Sequence, residues 1–314
     1  MTSSFVMNLV INKHAYSVAR HDWMRHLDPN LKLSEITIPG THCSATYNFD
    51  DSMNHIKHQN YSLREQLHDG IRFLDIQLAC TDPEDYSLSV IHDRYHCQIN
   101  FEQVLLTCKS FLLRHPTEVI CIQIMQRETK FLNFKRNFMH HLEKFLTDDN
   151  KAYYYQGDIN TTLHELKGKI VFFNHCPTIS DIGIPCQSEH NQYANHLDQD
   201  FRILPQHSHT ETAKQIHSIK KMIDEAASTI NDTLYISYNC IQTHSETETP
   251  YDLAWGNGLT SYPVMNKALM IILESLPKHP ARLGIVLLDY YHNMDNSDFD
   301  VTKNLIEINL KYRA

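Results

Sequence analysis

The chain predicts a single-domain α/β fold in which eight strands close a parallel barrel, and three observations predict it. Short apolar runs rich in β-branched and aromatic residues alternate with longer amphipathic stretches, so the hydrophobic period switches from about 2 to 3.6 and back. Runs such as VICIQI (119–124) and GIVLL (284–288) are nearly continuous in apolar residues, as strands buried on both faces are. The 314 residues, 42% of them hydrophobic, are enough for one barrel, which needs roughly 250. The predicted strands are Glu35–Pro39, Arg72–Leu78, Leu88–His92, Val119–Gln126, Lys169–Asn174, Asp200–Leu204, Leu234–Ile241 and Leu283–Tyr291. Between them, Phe101–Leu113 and Thr212–Ile230 read as amphipathic helices. His115-Pro116, Pro277 and Pro280 end helices before the fourth and eighth strands. A doubly wound sheet is the other arrangement of these elements, but no glycine-rich phosphate turn supports it. Two long polar loops stand out, Cys176–Gln199 and His244–Tyr262, the second holding Trp255 and Gly256-Asn257-Gly258.

Composition narrows the function. A formal net charge of -9 argues against nucleic acid as a partner and against a wholly basic face adsorbing to an anionic membrane. The eight cysteines (43, 80, 97, 108, 121, 176, 186 and 240) show no C-x-x-C pair, and several lie in apolar runs. Buried free thiols and a reducing compartment follow. The first twenty residues lack a basic n-region, and no run approaches the ~18 apolar residues of a membrane span. The expectation is a soluble, monomeric protein, cytoplasmic or exported without a classical signal peptide; the loop with Trp255, Tyr251 and Tyr262 either gives peripheral membrane contact or folds Trp255 beneath itself.

Four strand ends carry the chemistry. Ile36-Thr37-Ile38-Pro39-Gly40-Thr41-His42 presents a histidine at the C-terminal end of the first strand, which in a barrel is the mouth. Asp75 and Gln77, two apart on the second strand, both point inward. An inward carboxylate needs a partner, and His92, ending the third strand, is the partner expected for Asp75. Asp289 ends the eighth strand, which in a closed barrel neighbours the first, so it reaches His42. Two histidines each backed by a carboxylate form a general acid/base pair. Cys43 follows His42 directly, and neighbours on a strand point apart, which argues against a thiolate nucleophile there.

These segments are specific enough to resemble a family. IPGTHCSATYNF resembles the I-P-G-T-H-D-S motif of phosphatidylinositol-specific phospholipases C, the X-domain family, and GIRFLDIQL its G-x-R-x-x-D-x-R segment. SVIHD, FEQVLLTCKSFLLRHPTEVICIQI, LHELKGKIVFFNH, HLDQDFRI, LYISYNCI and PARLGIVLLDYY continue the series, the last closest to the bacterial, metal-independent branch. The resemblance implies a distorted TIM-type (β/α)8 barrel over residues 28–314, preceded by an N-terminal extension at 1–27. It implies a phosphodiesterase acting on a phosphatidylinositol-like lipid at a membrane surface, with no cofactor and no metal. His42 would deprotonate the inositol 2-hydroxyl and His92 would protonate the leaving oxygen, with Asp289 and Asp75 orienting them.

Positions corresponding to the family's substrate contacts differ. Cys43 stands for an Asp or Asn, Gln77 for a cationic Arg or a calcium-binding Asp, Met125 for a Lys or Glu, and His175 for an Arg. In the inositol-contact motif Phe201 stands for the Tyr, and the Asp falls at Gln199 without a gap or at Asp200 with a one-residue shift. Candidates to restore positive charge are Arg94, His96 and His175. Two other readings remain: a catalytically weakened barrel that binds lipid head groups, and a zinc hydrolase built on His42, Cys43, His92 and His96.

Overall fold

A computed structural model describes residues 18–80, 87–127, 134–145, 153–179, 182–186, 196–197, 201–204, 206, 208, 211–242, 248–257, 264–277, 280–293 and 300–311. The strands are β1 (Ile38–Thr41), β2 (Phe73–Ala79), β3 (Ser89–His92), β4 (Tyr95–Asn100), β5 (Ile120–Gln126), β6 (Tyr154–Tyr155), β7 (Ile170–Asn174), β8 (Ile184–Pro185), β9 (His196–Leu197), β10 (Phe201–Leu204), β11 (Leu234–Asn239) and β12 (Ile285–Leu288). The helices are α1 (Leu63–His68), α2 (Phe101–Arg114), α3 (Phe134–Phe145), α4 (Leu163–Leu166), α5 (Thr212–Ser228), α6 (Pro250–Trp255), α7 (Met265–Glu274) and α8 (Val301–Lys311).

Seven strands run parallel in the order β7-β5-β2-β1-β12-β11-β10, curling into a TIM-type sheet; β6 and β8 extend it beyond β7, and β9 pairs antiparallel with β10. The register aligns Gly40 with Leu287 and Phe73, and Phe73 with Cys121, so the positions two residues on, His42, Asp289, Asp75 and Gln123, share one level. Gly284, at φ +75, leads into β12 where a Cβ would meet the Tyr235 carbonyl oxygen at 2.2 Å.

One predicted strand is a different element. Ser89–His92 is not part of the parallel order; it pairs antiparallel with the end of β2 and with β4, making a hairpin. Residues 80–88 are too few for a parallel crossover, which takes a dozen or more. Helix α2 begins after that hairpin because Asn100 accepts from the Gln103 amide at 2.9 Å in a reciprocal capping box. Its Phe101, Val104, Leu105, Cys108, Phe111 and Leu112 are buried. Helix α5 ends at Ser228, and Ile230 is 92% exposed.

Side chains alternate between two cores. Leu74, Ile76 and Leu78 pack outward under the helices, whereas Phe73, Cys121, Val171, Phe173, Leu234, Ile236, Ile285 and Leu287 fill the lower barrel. Trp23 and Met24, which the sequence places in the extension, join that lower core; Trp23 Nε1 donates to the Gly70 carbonyl at 3.0 Å. Beneath it lies a fully buried ion pair, Arg72 Nη2 to Glu118 Oε2 at 2.7 Å. Arg72 also donates to the Leu67 and Ile71 carbonyls, and Glu118 accepts from the Met24 amide. Burial nonetheless raises the Glu118 pKa against the pull of Arg72.

The loop expected to touch membrane is organised differently. Trp255 is 2% exposed, and its Nε1 donates to the Tyr290 carbonyl at 2.6 Å, while Tyr251 packs edge-on against Tyr290. The indole closes α6 onto the core and is not presented to a bilayer; Tyr262 lies outside the described residues. All eight cysteines are buried and free, as expected. No helix among the described residues is long and apolar enough to cross a membrane.

Removing Glu118 leaves a buried guanidinium unpaired. Glu118→Ala is expected to cost about 3–5 kcal/mol in urea unfolding. The double variant Arg72→Met/Glu118→Leu should recover most of that loss, and failure to recover would assign the cost to packing.

Candidate active site

The side-chain cluster forms where the barrel turns from apolar to polar. Just past β1, His42 Nδ1 lies 2.8 Å from Asp289 Oδ1, the pairing expected from strand adjacency. The same oxygen receives a second imidazole, His58 Nδ1 at 3.0 Å. Burial alone would raise the Asp289 pKa, but the two imidazoles outweigh it and hold the carboxyl at about 2. Burial likewise pushes His42 down. The acidic groups around it, the Cys43 and Cys240 sulfurs first and Asp289 after them, reverse that and raise His42 above its ordinary value.

Cys43 does not point away from His42. The strand ends at Thr41 and Cys43 takes a left-handed φ of 44°, which breaks the extended alternation. Its Sγ is 3.1 Å from His42 Nε2 and 3.1 Å from His92 Nδ1, so the thiol stands between the two histidines. Burial raises its pKa to about 12.

Asp75 is not the partner of His92. Its Oδ2 accepts from the Cys43 amide at 3.1 Å and its Oδ1 from Gln123 Nε2 at 3.0 Å, while Gln123 also bonds the Tyr238 hydroxyl at 2.6 Å. His92 rides on the hairpin, outside the parallel register that carries Asp75, and meets Cys43 instead. Burial, then His58, His42 and Arg127, press its pKa well below the ordinary value.

Gln77 does line the cluster: Nε2 is 3.6 Å from Cys43 Sγ, and Oε1 accepts from Arg127 Nε at 2.8 Å. Met125 is level with Gln77 on β5. His175 Nε2 is buried with no hydrogen-bond partner, and burial lowers its pKa to about 4 against the pull of Asp75.

Three expected contacts fall elsewhere. Phe201 starts β10 and packs against Phe173 in the lower core, because the strand's C-terminal end, not its start, faces the mouth. Arg94 is exposed on the hairpin turn, bonded to the Tyr95 hydroxyl, and His96 is exposed beside it. Asp200 lies outside the described residues.

Sequence reasoning missed His58, Gln123, Arg127, Gln206, Tyr238 and Cys240. Gln206 Nε2 is 2.9 Å from His42 Nε2 and 2.8 Å from Cys240 Sγ. Inward alternation along β5 and β11 would have indicated Gln123 and Tyr238. His58 comes from an irregular segment with no periodic signal. Potential metal ligands are grouped as His42, Cys43 and His58, and as His42, Cys240 and Asp289.

A curled parallel sheet thus carries two histidines and a buried carboxylate at its mouth, groups able to take up and release protons. The X domain of phosphatidylinositol-specific phospholipase C matches residues 36–176, and over that span the chain is similar to that family. It is 24% identical over 237 residues to a 1-phosphatidylinositol phosphodiesterase of Staphylococcus aureus, covering 71% of this chain and 75% of that protein. It is also 24% identical over 287 residues to the Listeria monocytogenes enzyme of the same name, covering 87% and 82%. A solved structure of the S. aureus phosphatidylinositol-specific phospholipase C superposes with a TM-score of 0.77 at 21% identity, over 92% of this chain and 97% of that one.

The histidine shifts set a pH dependence. An unfolded imidazole titrates near ~6.5; His92 and His175 titrate lower when folded, so between pH 6.5 and about 4 the unfolded chain binds more protons. Stability is full above that window and falls as the pH drops through it. His42, displaced the other way, contributes its slope above pH 6.5. Thermal melts should show Tm falling from pH 6.5 to 4.5, with a shallower slope in His175→Phe; an equal slope would remove His175 from the account.

Proposed function

We propose that this chain is a phospholipase C-type phosphodiesterase that cleaves a phosphatidylinositol-like lipid at a membrane surface by two-histidine acid/base catalysis. The observation that carries the reading is His42, braced by Asp289, standing across the Cys43 sulfur from His92. The names of the S. aureus and L. monocytogenes relatives supply the substrate class. His42 in its neutral form, a fraction that its raised pKa makes grow with pH, acts as base and takes the proton of the inositol 2-hydroxyl; the alkoxide attacks phosphorus and the bond to the diacylglycerol oxygen breaks. His92, as acid, returns a proton to that oxygen. Asp289 stabilises the imidazolium formed on His42. The phosphodiester anion beside His92 raises the low pKa of that ring, so substrate itself readies the acid.

Arg127 supplies the positive charge that Gln77 lacks. It bonds the Gln77 carbonyl, whose amide reaches Cys43, and its charge is felt at His92. Asp75 acts by holding the Cys43 amide, fixing the turn between the histidines, and no longer as the orienting carboxylate of His92. A second reading, a head-group-binding module without turnover, draws on the same substitution, because the guanidinium acts through an amide.

Hydrolysis of phosphatidylinositol vesicles decides between them. His42→Ala and His92→Ala are each expected to lower kcat by about 10²–10⁴-fold, and Arg127→Ala by about 10²–10³-fold, with chelator without effect. No turnover by the wild type on any inositol lipid, with head-group binding retained, would establish the module instead.

A further inference from the structure

We propose that His42, Cys43 and His58 form a binding site for a thiophilic divalent cation, zinc foremost, whose occupancy blocks the general base. The thiol sulfur and one nitrogen of each ring lie within 4.8 Å of one another, and all three residues are buried. Around tetrahedral zinc, with Zn–S near ~2.3 Å and Zn–N near ~2.0–2.1 Å, sulfur and nitrogen ligands stand about 3.5 Å apart. Cys43 Sγ to His42 Nε2, at 3.1 Å, is already close to that separation.

Two further observations point to a ligand. Asp289 receives the Nδ1 of both His42 and His58, at 2.8 and 3.0 Å, so a metal would meet His42 at Nε2 and displace the Gln206 amide that lies 2.9 Å from it. Carboxylates commonly hold metal-ligating histidines in this way, fixing tautomer and ring orientation. The left-handed backbone at Cys43 turns the sulfur toward the histidines when an extended strand would have sent it away. One sulfur and two imidazole nitrogens suit zinc and disfavour calcium and magnesium, which take oxygen ligands. His92 Nδ1, 3.1 Å from the same sulfur, or a water molecule completes four-fold coordination.

On binding, the Cys43 thiol releases its proton to solvent and the thiolate and two neutral imidazoles donate lone pairs to the ion. The His42 lone pair is then no longer available to take a proton from substrate. Cation binding stands without any assumption about the reaction; inhibition rests on the phosphodiesterase reading.

Chelator-treated full-length protein is titrated with zinc chloride by calorimetry, and with cobalt(II) by absorption spectroscopy. One equivalent is expected to bind, with a thiolate-to-cobalt charge-transfer band that disappears in Cys43→Ser. Zinc affinity is expected to fall at least ten-fold in Cys43→Ser and His58→Phe, and about 10–100-fold in Asp289→Asn, with circular dichroism verifying that each variant is folded. Absence of saturable binding, or binding and a charge-transfer band unchanged in Cys43→Ser, overturns the site. In vesicle hydrolysis, one equivalent of zinc should inhibit and chelator should restore; turnover undiminished by bound zinc overturns the inhibitory role. A wild type without turnover refutes the phosphodiesterase, while calorimetry still decides the site.

Discussion

The Asp289 carboxylate, buried and shared by two imidazoles through a single oxygen, is the constraint on which the mouth of this barrel depends. A carboxylate stripped of water stays ionised only where positive or hydrogen-bonding groups surround it. Here they come from opposite directions: His42 from the end of β1 and His58 from the irregular segment before α1. Asn266 adds a bond from α7 to the Asp289 backbone carbonyl at 3.0 Å. One residue, through its side chain and its backbone carbonyl, thereby ties two strands, a loop and a helix to the same point.

The rest of the fold delivers that point by a vertical division of labour. Aromatic and aliphatic side chains fill the lower barrel, and Arg72 with Glu118 closes its base as a pair that is costly to disturb from either side. Polar inward residues begin only at the level of Asp75, Gln123 and Asp289. A layer of mutually bonded polar groups resting on a dry floor has few alternative arrangements, because each donor displaced is a donor left unsatisfied.

Much of this was legible in the sequence because it follows from period and adjacency. Seven of the eight strands lie in the parallel sheet, and neighbouring first and last strands put Asp289 on His42. Pairings that depend on chain reversal were not legible. His92 was assigned to Asp75 as though both strands shared one register, but a hairpin carries His92 and a single left-handed residue turns Cys43 into the gap. Alternation identifies a face only while the backbone stays extended, and both errors begin where it stops. Phe201 was misplaced for a related reason: motif matching fixes a position along the chain, whereas depth in the barrel depends on where the strand starts. His58 and Gln206 come from segments with no period to read.

The hairpin that bears His92 has a consequence for how such a site adapts. The barrel fixes one histidine through neighbours on both sides, but the other is cantilevered from the far end of β2 on a two-stranded arm. The span between the two histidines is therefore adjustable by changes in the arm alone, in its turn or its length, without repacking any strand of the barrel. Pockets of different girth become accessible to one scaffold by that route, with the exposed turn at Asp93 and Arg94 free to vary while Val90, Cys97 and Ile99 stay anchored in the core.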